Sequence, residues 1–323
     1  MQNKRIQLCV LRKRLAVQNT LKSAVTFAGF GLHSGAPVHM TLCPAGPDHG
    51  IVFQRTDLSG AAALVDARWD TVVPSKLCTL IANAHGTTVS TIEHVMAALA
   101  GCAVHNALIQ IDGPEVPILD GSAVPFVEGF IACGLQEQDA AVRAIRILKA
   151  VEVRDGEAVA RLAPADMLEI DFSIYFDDVA IGQQTRTLNM ANGAFVRELS
   201  DSRTFCRQSD VDVMRANGLA LGGTVHNAVV FEGDRILSPG GLRHADEPVR
   251  HKMLDALGDL ALAGGPILGR YTGIRAGHAL TNRLLRALFA DPSAYRMVDC
   301  SAQTVGKLPG MGVHRGDLPM SRA

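Results

Sequence analysis

Residues 249–259 read V-R-H-K-M-L-D-A-L-G-D, an apolar-rich stretch that carries His251, Asp255 and Asp259 at a repeat of four. In a helix each step of four turns the position by only about 40°, so these side chains form one polar strip. Met253, Leu254, Leu257, Leu260 and Ala261 gather on the other side, which predicts an amphipathic helix with a defined buried face. The strip has two readings. In one, His251 and Asp255 are a solvated pair one turn apart, worth about 0.3 kcal/mol. In the other they offer two ligands to one metal ion, since neutral imidazole and carboxylate both suit zinc. Spacing alone leaves both open.

A second stretch echoes the first. E-H-V-M-A-A-L-A-G (93–101) and R-H-K-M-L-D-A-L-G (250–258) both place Met two residues after His and Gly seven after it. If the two are related helices, the chain holds two similar halves, and the position four after His is Ala98 in one and Asp255 in the other.

Between and around these stretches, strand and helix signals mix without a regular βαβ rhythm, which predicts the α+β class. Leu168, Ile170, Phe172, Ile174 and Phe176 alternate with polar neighbours, giving a strand with one buried face. The run 151–160 holds an Asp155-Gly156 turn between two strand-like pieces. Helical patterns fall at roughly 91–100, 122–133, 247–263 and 278–290. The loop 112–126 is dense in Gly and Pro, and its Asp112, Glu115 and Asp120 suit turns better than a carboxylate metal site; Ser122 is the expected N-cap of the next helix. The polar region 134–145 reads as a junction between domains.

A chain of 323 residues exceeds what one core usually organises, so two domains are expected. Net charge is −1, with 31 basic and 32 acidic residues, which offers no global field for a nucleic-acid backbone. Seven scattered cysteines without C-x-x-C spacing point to a reducing cytoplasm and exclude a thiolate zinc site. No apolar run approaches about 18 residues, so no membrane insertion is expected. The basic start, with Lys4, Arg5, Arg12, Lys13 and Arg14, reads as a disordered extension over residues 1–17.

A catalytic zinc normally takes three protein ligands and keeps one position open. His94 of T-I-E-H-V is the candidate third ligand, because Glu93 beside it can take a proton from water that the metal has made acidic. A lone histidine at the edge of a core helix would look the same. His278 follows Gly277 where a helix can begin, a position suited to developing negative charge, and Asp259 can orient its imidazole.

These residues, with their surroundings, resemble the zinc-dependent UDP-3-O-acyl-N-acetylglucosamine deacetylases of lipid A biosynthesis. The matching segments stand in the family's order: G-F-G-L-H-S-G (29–35), L-C-T-L (77–80), S-T-I-E-H (90–94), D-G-P-E-V-P-I-L-D-G-S-A-V-P-F (112–126), S-R-T-F (202–205), G-L-A-L-G-G-T (218–224), V-R-H-K-M-L-D-A-L-G-D-L (249–260) and G-H-A-L-T-N (277–282). The resemblance implies one catalytic zinc ion on His94, His251 and Asp255. It implies Glu93 as general base, His278 as the charged acid with Asp259 as its partner, and Thr204 as a hydroxyl donor to the oxyanion. Lys252 matches a substrate-contacting lysine, and Leu77, Cys78 and Phe205 match residues near the site entrance and the acyl chain.

The implied fold is two α+β domains of similar topology with the active site between them, each with an insert. Domain I would run over 18–138 and domain II over 139–300, with a tail at 301–323. The second insert, about 195–225, would form an apolar acyl passage lined by Val211, Met214, Leu219 and Ala220. The implied reaction removes acetate from an acylated UDP-sugar in the cytoplasm, by a monomer. Two departures from the family pattern touch the passage: Arg207 stands where an apolar side chain is common, and His226 where an acidic one is. Two rivals remain, a zinc deacylase of another acetamido sugar and a catalytically silent binding protein. Glu93 and His278 together argue against the second.

Overall fold

Along Pro37–Pro44, the buried Val38, Met40 and Leu42 alternate with more open neighbours, so this strand turns one face to a core. In the computed structural model, which describes residues 15–319, it belongs to a five-stranded sheet. The order is Val25–Phe30, Pro37–Pro44, Ala107–Ile111, Ile51–Arg55, Leu64–Asp66. The middle strand comes last in sequence, antiparallel to Pro37–Pro44 and parallel to Ile51–Arg55. Helix α1 (Glu93–Gly101) precedes it and helix α2 (Val124–Cys133) follows. A small three-stranded sheet, Val72–Val73, Leu80–Ala82 and Thr88–Ser90, is inserted before α1.

The second half repeats this plan. Val151–Asp155, Ala158–Pro164, Ile267–Ile274, Glu169–Tyr175 and Gln183–Asn189 pair in that order. Again the middle strand comes last, antiparallel to its second-strand neighbour and parallel to its third. After Gln183–Asn189 the chain passes through the short helix α3 (Ala194–Glu198) and an insert in which Phe205–Arg207, Val229–Glu232 and Arg235–Ile236 form a sheet beside helix α4 (Gln208–Ala216). Helix α5 (Glu247–Ala261) then leads into the middle strand, and helix α6 (His278–Phe289) follows it. Arg143–Ile147 and Tyr295–Asp299 extend this sheet. The fold is α+β, with two domains of similar topology, and the echoing stretches are its two equivalent helices, α1 and α5.

Those helices pack on each other between the domains. Pro248 in the first turn of α5 has no N–H to leave unpaired and fits the helix start. Met253, Leu254, Leu257 and Leu260 are all buried, each worth about 1.5–3 kcal/mol. The opposite strip is buried as well: His251 is 1% exposed, Asp255 5% and Asp259 4%. The solvated-pair reading therefore fails, because α1 covers the face that a surface helix would give to water. Gly258 permits the close approach, since a Cβ there would be driven into the Glu93 carbonyl oxygen.

Several local expectations shift. The hairpin turn centres on Gly156 and Glu157, because Asp155 already pairs with Ala158; Gly156 supplies the positive φ of 56°. Ala123, not Ser122, is the N-cap of α2, while the Ser122 hydroxyl bonds Asp120. The polar region 134–145 is no free linker. Leu135–Ala141 is an exposed strand that pairs with Val17–Leu21. Leu15 bridges Ser301, so residues 15–17 are held; the rest of the basic extension, 1–14, lies outside the described residues. The insert continues to Ile236, past the expected 225, because Val229–Glu232 must pair with Phe205–Arg207. Past residue 300 the chain still packs: Leu308 is buried, and Asp317 pairs with Arg197 of α3 at 2.8 Å.

Candidate active site

His94 lies in the first turn of α1, and His251 and Asp255 lie one turn apart on α5. Packing of the two helices brings one donor atom of each within 4.8 Å of the others, the one such cluster among the described residues. His94 Nε2 and His251 Nε2 stand 3.6 and 3.3 Å from Asp255 Oδ1. The His251 Nδ1–H donates to the Ser202 carbonyl at 3.0 Å, which leaves the Nε2 lone pair facing Asp255. Burial pushes the His251 ring down to about 3, so it is neutral. Burial opposes charge on Asp255 too, but the His251 ring and the Lys252 ammonium hold its carboxyl well below the usual range.

Asp255 Oδ2 accepts from Lys252 Nζ at 2.9 Å, whereas Oδ1 is buried with no hydrogen-bond partner. A buried carboxylate oxygen left unpaired between two imidazoles is costly unless a cation sits among them. The three residues thus fit a metal ion, and these are the atoms that could hold it.

Beside them stands an acid–base pair. Glu93 is 4% exposed; its Oε2 accepts the Thr79 N–H at 3.1 Å and its Oε1 lies 3.7 Å from His278 Nε2. Burial pushes the Glu93 carboxyl above its ordinary value, partly offset by His278 and His94. His278 is the first residue of α6, and its Nδ1 donates to Asp259 Oδ2 at 2.8 Å. Burial alone would lower its affinity for a proton, but Asp259 and Glu93 outweigh that and raise it to about 10.

Thr79 escaped the sequence reading as a separate residue. Its hydroxyl donates to Asp259 Oδ1 at 2.5 Å while its N–H holds Glu93, so it links Glu93 to the carboxylate that orients His278. It sits in the quoted L-C-T-L segment, but nothing local shows a bond to a residue 180 positions away. The Ser202 carbonyl, which sets the His251 tautomer, was likewise quoted only as part of S-R-T-F.

A cavity of about 560 Å³ lies beside this centre, next to it at Lys252, which bonds Asp255, and at Phe205, whose ring centre is 6.4 Å from that of His251. Leu77, Thr204, Phe205, Val211, Met214 and Ala220 line it, as does Lys252, whose ammonium lies 5.8 Å from the Phe205 ring centre. Thr204 is fixed by its N–H to the Gly121 carbonyl and its own carbonyl to the Val229 N–H. Leu219 is not in the lining. Ala220, expected beside it, does line the wall and takes a φ of +53°. Cys78 is also outside the lining, buried with its Sγ 3.5 Å from Ser75 Oγ. Of the two departures, Arg207 lines the cavity and His226 does not. The acidic loop stays apart from the metal cluster: Glu115 accepts from the His33 and Ser34 N–H groups, Asp112 from His39, and Asp120 pairs with Arg243.

A carboxylate and a protonated imidazole facing a two-histidine, one-aspartate cluster between two α+β domains is the layout of a hydrolase. Residues 18–290 match the family described as LpxC, UDP-3-O-acyl N-acetylglycosamine deacetylase, and the chain belongs to that family. A Phenylobacterium zucineum (strain HLK1) protein named UDP-3-O-acyl-N-acetylglucosamine deacetylase is 50% identical over 280 residues, covering 87% of this chain and 96% of its own. Proteins of the same name from Shewanella loihica (strain ATCC BAA-1088 / PV-4) and Haemophilus influenzae (strain 86-028NP) are 46% and 45% identical over 283 residues, 87% of this chain and 92% of theirs.

Proposed function

We propose that the chain removes the N-acetyl group of a 3-O-acylated, UDP-linked N-acetylglucosamine and releases acetate, using one zinc ion held by His94, His251 and Asp255. The observation that carries this reading is the pairing of Glu93 and His278 beside that cluster, with an apolar cavity close by at Phe205 and Lys252. Two imidazoles and a carboxylate are a common catalytic zinc set, and the family names point to the same chemistry. Bound there, the ion supplies a Lewis acid that polarises the amide carbonyl and makes water acidic near neutral pH.

The protein's own groups do the rest. Glu93 takes a proton from the attacking water as its oxygen bonds to the acetyl carbon. Protonated His278 and the Thr204 hydroxyl donate to the oxyanion that forms. When the C–N bond breaks, His278 gives its own proton to the departing nitrogen, and the proton that Glu93 took restores the pair. Lys252 and Phe205 border the end of the cavity nearer the metal cluster, and the cavity takes the 3-O-acyl chain, the domain II insert supplying most of its wall. Six cysteines among the described residues are free, and no helix there is long and apolar enough to cross a membrane, which suits a reducing cytoplasm.

The test is mass spectrometry after incubation with a defined acylated UDP-sugar. The product should have lost the acetyl group and kept the acyl chain. An unchanged substrate refutes the reading, and equal turnover of the acyl-free sugar favours a deacylase of another acetamido sugar.

The alkaline side of the rate profile tests His278. Its protonated form is the active one, so activity is lost as pH rises through its folded value. Asp259 and Glu93 hold that value above an ordinary histidine's. Asp259→Asn removes the strongest group raising it, so the alkaline midpoint of kcat/KM should fall by about one unit or more. An unmoved midpoint would show that another group sets this limb.

A further inference from the structure

We propose that Arg207, clasped by Asp210 and Asp178, is a polar stop in the acyl cavity that sets how long a chain this enzyme prefers. The inference rests on the function proposed above.

Strand Phe205–Arg207 gives the cavity its direction. Phe205 stands at the metal end, its ring centre 6.4 Å from that of His251, and it packs against Phe176 and Phe231. Two residues on, Arg207 leaves the strand on the same side, about 7 Å further along. Both residues line the cavity. A chain that starts at the metal centre and runs past Phe205 therefore meets Arg207 next.

The guanidinium is held in place. Its Nε and Nη2 donate to Asp210 Oδ2 and Oδ1 at 2.7 and 2.8 Å, a two-bond clasp at the start of α4. Nη1 lies 3.7 Å from Asp178 Oδ2, in the loop that follows Glu169–Tyr175. The clasp thus ties α4 to the loop across the insert. The Arg207 side chain is 42% exposed, so this end of the cavity is wet and charged, in contrast to the apolar stretch at Val211, Met214 and Ala220.

This arrangement predicts a break in the length profile. Each methylene buried on the apolar wall should raise kcat/KM about fourfold. Methylenes that reach the clasp gain nothing, because they would displace water from a fixed ion pair and leave it poorly solvated. The gain falls in KM, since Arg207 touches neither the acetyl group nor the acid–base pair.

The experiment measures kcat and KM over a series of acylated UDP-sugars growing in two-carbon steps. It compares the natural chain with Arg207→Met, which is apolar and unbranched, and Arg207→Lys, which keeps the charge. The natural protein should climb and then level. Arg207→Met should continue to climb for at least one further step, giving roughly a tenfold higher kcat/KM there through KM. Arg207→Lys should level where the natural protein does. If Arg207→Met does not fold, Arg207→Gln removes the charge with a smaller change and must also move the break. A break at the same length in the uncharged variants overturns the proposal, as does a lysine variant that behaves like the methionine one. Turnover of any member by the natural protein upholds the function proposed above, so those failures count against the stop alone. No turnover of any member overturns both.

Discussion

Glu93→Gln should lower kcat by at least ~10² while leaving the metal bound and the fold intact. Glutamine keeps the shape of the side chain and an oxygen to accept the Thr79 N–H, so the α1–α5 contact is undisturbed. It cannot take a proton from water. The loss should be large because the native carboxyl is well matched to its task. Burial raises it above the ordinary carboxylate value, which makes it a stronger base. The check is kcat alongside metal content and thermal unfolding, with KM expected to change little. Near-normal turnover by a fully metallated Glu93→Gln protein would remove Glu93 from the mechanism.

His251→Ala should abolish nearly all activity by a different route, through loss of the metal. Asp255 Oδ1 would then face only His94, and two donors hold zinc far more weakly than three. The fold should survive. Truncation leaves the Ser202 carbonyl without its donor, a cost of about 1–3 kcal/mol, while the apolar face of α5 stays packed. Because a ligand that binds only the folded protein stabilises it, a strong chelator should lower the melting temperature of the natural protein and leave that of the variant unmoved. Stoichiometric, tightly bound metal in His251→Ala would refute the ligand set. Full activity of the exhaustively chelated natural protein would do the same.

The sequence by itself determined the local patterns of this protein. The repeat of four marked His251, Asp255 and Asp259 as one strip, and the limits of α5 and α6 came within about two residues of their pattern. Alternation marked the buried face of Glu169–Tyr175. The shared offsets of Met and Gly after His disclosed that α1 and α5 are equivalent. Such patterns are legible because helix and strand periods are properties of neighbouring residues. The ordered motifs added the family, and with it the ligand set and its companions.

Only the tertiary structure decided where the strip faces. Whether His251 and Asp255 face water or a partner depends on the approach of α1, and that depends on Gly258 meeting the Glu93 backbone. The link from Thr79 to Asp259 joins residues 180 apart, a separation at which periodicity carries no information. Of the neighbours Leu219 and Ala220, both expected in the wall, only Ala220, at a φ of +53°, lines it. The place of Arg207 in the cavity wall depends on the strand, α4 and the loop at Asp178 folding together. Each of these is set by how separate elements pack, and packing geometry is not a local property of the chain.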